Sequence, residues 1–89
     1  MSASGDHTIV NDLGLHARPA SKLVALANKF GADVFIGSGG REVNGKSILG
    51  VLMLAAAKGT TLSVRCEGQQ EDEAYAALGK LVDDGFGEL

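Results

Sequence analysis

Apolar residues in this chain recur at helical spacing over two stretches and alternate over a third. Ala20, Leu23, Val24 and Ala27 fall at i, i+3, i+4 and i+7 inside a helical pattern from Ala17 to Lys29. After Glu71, the residues Ala74, Ala77, Leu78, Leu81 and Val82 repeat that spacing. Leu62, Val64 and Cys66 instead alternate with Ser63 and Arg65, the mark of a strand with one wet face. One-sided elements have to cover one another, which restricts the chain to layers of helix on sheet. The longest apolar run, Ile48 to Ala57, is broken by Gly50 and falls well short of the roughly 20 residues a bilayer span needs.

The gaps between these segments supply the remaining elements. Thr8-Ile9-Val10 reads as a strand, and so does Ala32 to Ile36. Gly37 to Gly40 makes a turn, and Arg41 to Val43 a returning strand. Ser47 is placed to cap a helix from Ile48 to Ala57. Pro19 falls in the first turn of its helix, where a missing N–H costs nothing, while Gly31 and Gly85 end helices. The order is β-α-β-β-α-β-α, an α+β arrangement with three helices on one face of a four-stranded, mostly antiparallel sheet. At 89 residues, the whole chain, 1–89, is expected to be a single domain.

Charge and cysteine content exclude several functions. The net charge of −3 offers no basic face to displace counterions, so no nucleic acid is expected as a partner. Cys66 stands alone, so there is no internal disulfide, and no Cys/His cluster has metal spacing. The first residues carry no basic or apolar leader, and a reducing cytoplasmic setting without membrane insertion is expected. A monomer without cofactor is the simplest expectation.

Two segments carry chemistry. In Gly14-Leu15-His16-Ala17-Arg18-Pro19, the histidine lies where a loop becomes a helix. Main-chain N–H groups there lack partners, and the helix dipole favours negative charge. Arg18 adds a planar fork suited to phosphate oxygens. A neutral imidazole at this point could attack phosphorus and leave the resulting dianion beside those donors. On spacing alone, a capping histidine next to a solvated arginine fits the same residues.

The second segment, Gly40-Arg41-Glu42-Val43-Asn44-Gly45-Lys46-Ser47, matches the phosphate-loop pattern GxxxxGK[ST] letter for letter. It places a returning strand where that loop needs a continuous amide wrap, so an NTP-binding enzyme is the weaker reading. Ser47 is a cap whose phosphorylation would add roughly −1.5 to −2 charge at a helix start. Ile48, Leu49 and Leu52 exceed what one small helix buries, leaving a remainder for docking. A binding module without chemistry is the third reading of the same surface.

Taken together, the segments Gly14 to Ala20 and Val43 to Val51 resemble the two signature regions of the HPr family. These are the histidine-containing phosphocarriers of the bacterial phosphoenolpyruvate-dependent sugar phosphotransferase system. The resemblance implies an open-faced β-sandwich. It implies that enzyme I phosphorylates Nδ1 of His16, that Arg18 holds the phosphoryl group, and that transfer continues to the A-type domains of sugar permeases or a regulatory counterpart. It further implies Ser47 as a target of HPr kinase/phosphorylase, with Ala20, Ile48, Leu49 and Leu52 in a shared docking surface. Ala17 stands where some relatives carry threonine, and Gly45 where many serine-regulated relatives carry a larger residue.

Overall fold

The computed structural model describes residues 1–89. Its elements are β1 (Ser2–Thr8), α1 (Ala17–Ala27), β2 (Asp33–Ser38), β3 (Arg41–Asn44), α2 (Ile48–Leu52), β4 (Thr61–Glu67) and α3 (Glu71–Asp83), followed by a 3-10 turn at Gly85–Gly87. The four strands form one antiparallel sheet in the order β1-β4-β2-β3. Helices cover one face, and the core lies between the layers. Leu62, Val64 and Cys66 of β4 point into it, as do Val34 and Ile36 of β2. The stripe of α1 (Ala20, Leu23, Val24, Ala27) and that of α3 (Ala74, Leu78, Val82) close it from the other side. Burial pushes the Cys66 thiol above its ordinary pKa, so it behaves as a small apolar residue.

Several boundaries differ from the sequence expectation, and α1 ends at Ala27 with Asn28 as its cap, short of Lys29 and of Gly31. The first strand runs Ser2–Thr8 rather than Thr8 to Val10. Its inward positions are Ala3, Gly5 and His7, which are small or polar, so hydrophobic alternation gives no sign of it. Gly5 has to be small because the Tyr75 hydroxyl occupies the place a Cβ would take. Ile9 is buried beyond the strand, where its N–H donates to the Thr60 carbonyl at 3.0 Å. The helix at Ile48 stops at Leu52 and not at Ala57. Past it the backbone unwinds, with Ala55 at a φ of 49°, and the freed Ala56 carbonyl accepts from Leu15 N–H at 2.8 Å. The hairpin turn shortens to Gly39-Gly40, both at positive φ, and β2 extends through Ser38.

His7 ties the edge strand to α3. Its Nδ1–H donates to the Asp83 carboxylate at 2.8 Å, and the Tyr75 hydroxyl donates to Nε2 at 2.9 Å. Gly79 lies against this ring, and a Cβ there would come within 2.7 Å of His7 Cε1. Alanine in place of a helical glycine normally gains about 1 kcal/mol. Here that gain has to displace a ring held at both nitrogens. Gly79→Ala is therefore expected to lower the thermal midpoint of the wild-type chain and to raise it in a His7→Ala background. A rise in both backgrounds would show that the ring yields freely.

Candidate functional site

His16 is the N-cap residue of α1, with extended backbone (φ −83°, ψ −169°) and no side-chain capping bond. Its carbonyl accepts from Ala20 N–H at 3.0 Å, so the main chain starts the helix and the ring is left free for other work. The capping alternative for this histidine is thereby set aside. The first-turn N–H groups of Ala17 and Arg18 have no acceptor within the helix, and no other carbonyl or side chain takes them. The imidazole is 36% exposed. Its Nε2–H donates to both carboxylate oxygens of Glu88, each at 3.1 Å, and Nδ1 makes no hydrogen bond.

The loop that presents the ring is fixed from behind. Gly14 sits at a φ of 65°, its N–H donates to the Asn11 carbonyl at 3.1 Å, and its own carbonyl accepts from Asn11 Nδ2 at 2.8 Å. Asn11 is fully buried, and the same Nδ2 donates to Glu88 Oε1 at 3.0 Å. Glu88 reaches this place because Gly85, Phe86 and Gly87 all take left-handed backbone conformations and turn the chain back on itself. Phe86 is buried in the core, and its carbonyl accepts from Lys22 Nζ at 2.7 Å. The hydrogen bond from His16 holds the Glu88 carboxyl below its usual pKa. Partial desolvation opposes this, and Asn11 and the charges of His16 and Lys22 add to it.

Arg18 is exposed and makes no side-chain hydrogen bond. With Asp12, Leu13, Lys22, Glu88 and Leu89 it lines a cleft of about 560 Å³. The structure thus puts a free guanidinium on the first turn of the helix that His16 begins. Glu88 forms part of the cleft wall as well as holding the ring.

Ser47 caps α2 as expected, its Oγ accepting from Gly50 N–H at 3.1 Å. The phosphate-loop match does not form a phosphate cradle. Arg41 to Asn44 are strand, Gly45 N–H donates to Val34 O at 2.7 Å, and Lys46 Nζ donates to Phe30 O at 2.8 Å. A Cβ on Gly45 would approach Val34 Cγ1 to 2.5 Å, so this chain has no room for a larger residue there.

Of the expected docking residues, Ile48 and Leu49 are exposed, the latter by 70%, while Leu52 is partly buried against the core. Ala20 has to be corrected: it is 0% exposed and points into the sheet, because it begins the apolar stripe of α1, and no partner can touch its side chain. Met53, Leu13 and Leu89 are exposed apolar residues that periodicity does not single out. No group of His, Cys, Asp and Glu side chains is arranged to hold a metal.

Comparison with known proteins gives concordant results. A family model described as the PTS HPr component phosphorylation site matches residues 3–84. The phosphocarrier protein HPr of Pseudomonas aeruginosa is 50% identical over 82 residues, 91% of each chain. A crystal structure of HPr from Thermoanaerobacter tengcongensis superposes with a TM-score of 0.93 at 37% identity, covering 98% of each chain. A dimeric crystal form of HPr from the same organism superposes at 0.78 with 40% identity, covering 90% of this chain and 92% of that one.

Proposed function

Because the chain belongs to the HPr family and is a phosphocarrier of the phosphotransferase system, we propose that its phosphoryl group rides on Nδ1 of His16. The observation that carries this reading is a half-exposed imidazole at the start of a helix, with Nε2 engaged and Nδ1 free. The Nδ1 lone pair attacks phosphorus, the N–P bond forms, and the bond from phosphorus to the donor's carrier atom breaks with its electron pair. The Nε2 proton stays on the ring. Transfer passes through a loose transition state with charge on the equatorial oxygens, which the free amides of Ala17 and Arg18 and the Arg18 guanidinium are suited to receive. These groups are few and solvent-facing. They bind the phosphoryl group moderately and leave it available for the next acceptor.

The donor is phosphorylated enzyme I, and the acceptors are the A-type domains of sugar permeases or a regulatory counterpart. Ile48, Leu49 and Met53 supply apolar docking area beside the site. Successive partners have to reach one atom, which favours a monomer working in the cytoplasm, where phosphoenolpyruvate is made. No helix is long and apolar enough to cross a membrane. Incubation with phosphoenolpyruvate and enzyme I, followed by mass spectrometry, tests the assignment. One acid-labile phosphoryl group mapping to His16 is expected, and a label on any other residue would overturn it.

Ser47 is proposed as the regulatory site for HPr kinase/phosphorylase. Aspartate caps a helix about as well as serine, so Ser47→Asp should leave stability within a few tenths of a kcal/mol. The added charge lies next to Ile48 and Leu49, where it opposes docking and changes association rate. His16 phosphorylation by enzyme I is expected to slow roughly three- to tenfold, measured as kcat/KM for the carrier. An unchanged kcat/KM removes the regulatory reading.

A further inference from the structure

Resting on the assignment of His16 as acceptor, we infer that Glu88 is the positioning residue of this site: its carboxylate holds the Nε2–H tautomer and so keeps the Nδ1 lone pair free. A neutral imidazole has one N–H, and whichever nitrogen carries it cannot attack. Both Glu88 oxygens lie 3.1 Å from Nε2. An ionised carboxylate only accepts, so the proton has to sit on Nε2. The His16 hydrogen bond also holds that carboxyl below its ordinary pKa, so it is charged throughout the neutral range.

The surroundings are built to deliver this one group. Three consecutive left-handed residues, Gly85, Phe86 and Gly87, turn the tail inward. Non-glycine residues rarely adopt that conformation, and Phe86 sustains it because its ring is fully buried. Lys22 fixes the Phe86 carbonyl, and Asn11 fixes Glu88 Oε1. Asn11 turns its amide so that Nδ2 serves both Gly14 and Glu88, which leaves its own buried Oδ1 without a partner. Buried acceptors are seldom left unpaired. The opposite amide orientation would set Oδ1 against both the Gly14 carbonyl and the Glu88 carboxylate, so these two acceptors together account for the choice. With its side chain only 21% exposed, Glu88 is more sheltered than an unanchored surface carboxylate would be.

The carboxylate has a second effect during transfer. When Nδ1 bonds phosphorus and Nε2 keeps its proton, the ring gains positive charge, and Glu88 lies against that proton. No proton has to leave for the step to balance. The same logic places an acid behind the histidine of hydrolytic triads. Here the pair is open to solvent and its expected effect is correspondingly smaller.

Nitrogen-15 NMR of the His16 ring, at a pH where it is neutral, reads the tautomer without any phosphoryl donor. The wild-type chain is expected to show only the Nε2–H form, and Glu88→Ala to show both forms. Glu88→Gln keeps an acceptor oxygen and should restore the wild-type tautomer while lacking the charge. Phosphorylation by enzyme I should fall roughly three- to tenfold in kcat for Glu88→Ala, with little change in KM, and Glu88→Gln should lie between it and wild type. If Glu88→Ala matches wild type in tautomer or in kcat, the inference is overturned. If wild type itself takes no label on His16, the acceptor assignment fails separately, and the NMR result still reports what Glu88 does to the ring.

Discussion

Replacing His16 by alanine is expected to abolish the acid-labile label from phosphoenolpyruvate and enzyme I while leaving the fold intact. The two halves of that expectation have separate grounds. The ring makes no capping bond and belongs to no core cluster, and the main-chain carbonyl that starts α1 is retained by any residue. Circular dichroism at neutral pH should therefore match wild type, and the thermal midpoint should fall only by the small contribution of the partly exposed His16–Glu88 pair. Function has no substitute nucleophile: His7 is the only other histidine, and both of its nitrogens are engaged by Asp83 and Tyr75. The loss should be complete rather than partial. Retention of acid-labile label in the variant would sink the assignment.

The variant also has a signature at low pH. In the wild type the His16 hydrogen bond lowers the Glu88 pKa. A carboxyl depressed in the folded state contributes stability above its unfolded pKa and loses it as pH falls through the folded value. In His16→Ala the Glu88 titration should move up toward the ordinary carboxylate value, which carbon-13 NMR of its side chain follows directly. The acid-side loss of stability tied to this pair should shrink with it. An unmoved Glu88 titration would mean that Asn11 and Lys22, and not the ring, hold the carboxylate.

How much of this arrangement can be read from the sequence depends on whether a contact is local. The stripes of α1 and α3 and the alternation in β4 are periodic, and periodicity reports burial directly. Ser47 as a cap is likewise a short-range rule that the structure bears out, and the turn expected over Gly37 to Gly40 is present in shorter form at Gly39-Gly40. Strand β1 escapes because its inward residues answer to Tyr75 and His7's partners on α3, some 70 positions away in sequence. Helix α2 ends early, with Ala55 at a φ of 49° and the Ala56 carbonyl accepting from Leu15 far back in the chain, an arrangement no local propensity encodes. Ala20 departs from its expected place in the docking surface for a related reason. It follows the signature histidine closely in sequence, but it opens the i, i+3, i+4, i+7 stripe that α1 turns to the core, whereas the His16 ring leaves from the extended cap residue ahead of the helix. Glu88 is the furthest removed: 72 residues separate it from His16, and its only advance sign is the glycine on each side of Phe86.

Gly14→Ala should cause the largest loss of stability of any single change near the site. Gly14 holds a φ of 65°, a conformation that costs a residue with a Cβ about 1–2 kcal/mol. The new methyl would also overlap the Ala56 carbonyl oxygen and come within 2.8 Å of Ala57 Cα. Both obstacles are backbone, so no side chain can rotate aside, and forcing the segments apart costs about 1–3 kcal/mol more. Relief by moving the loop would break the Leu15 N–H to Ala56 O bond and the Asn11 bonds to Gly14, which are what aim His16 at solvent. The expected destabilisation is therefore about 2–5 kcal/mol, a large share of the roughly 5–15 kcal/mol that holds a small domain together. Denaturant unfolding measures it. The surviving folded fraction should also accept phosphoryl groups more slowly per folded molecule, because a shifted loop carries the ring away from Glu88 and from the first-turn amides. A Gly39→Ala control separates strain from overlap, since Gly39 has a similar φ of 58° and a methyl group added there would meet nothing within 4 Å. It should lose only the conformational part, about 1–2 kcal/mol, and phosphorylate at the wild-type rate. Equal losses at the two positions would mean that the segment after α2 moves aside at no cost, and that it does not brace the histidine loop.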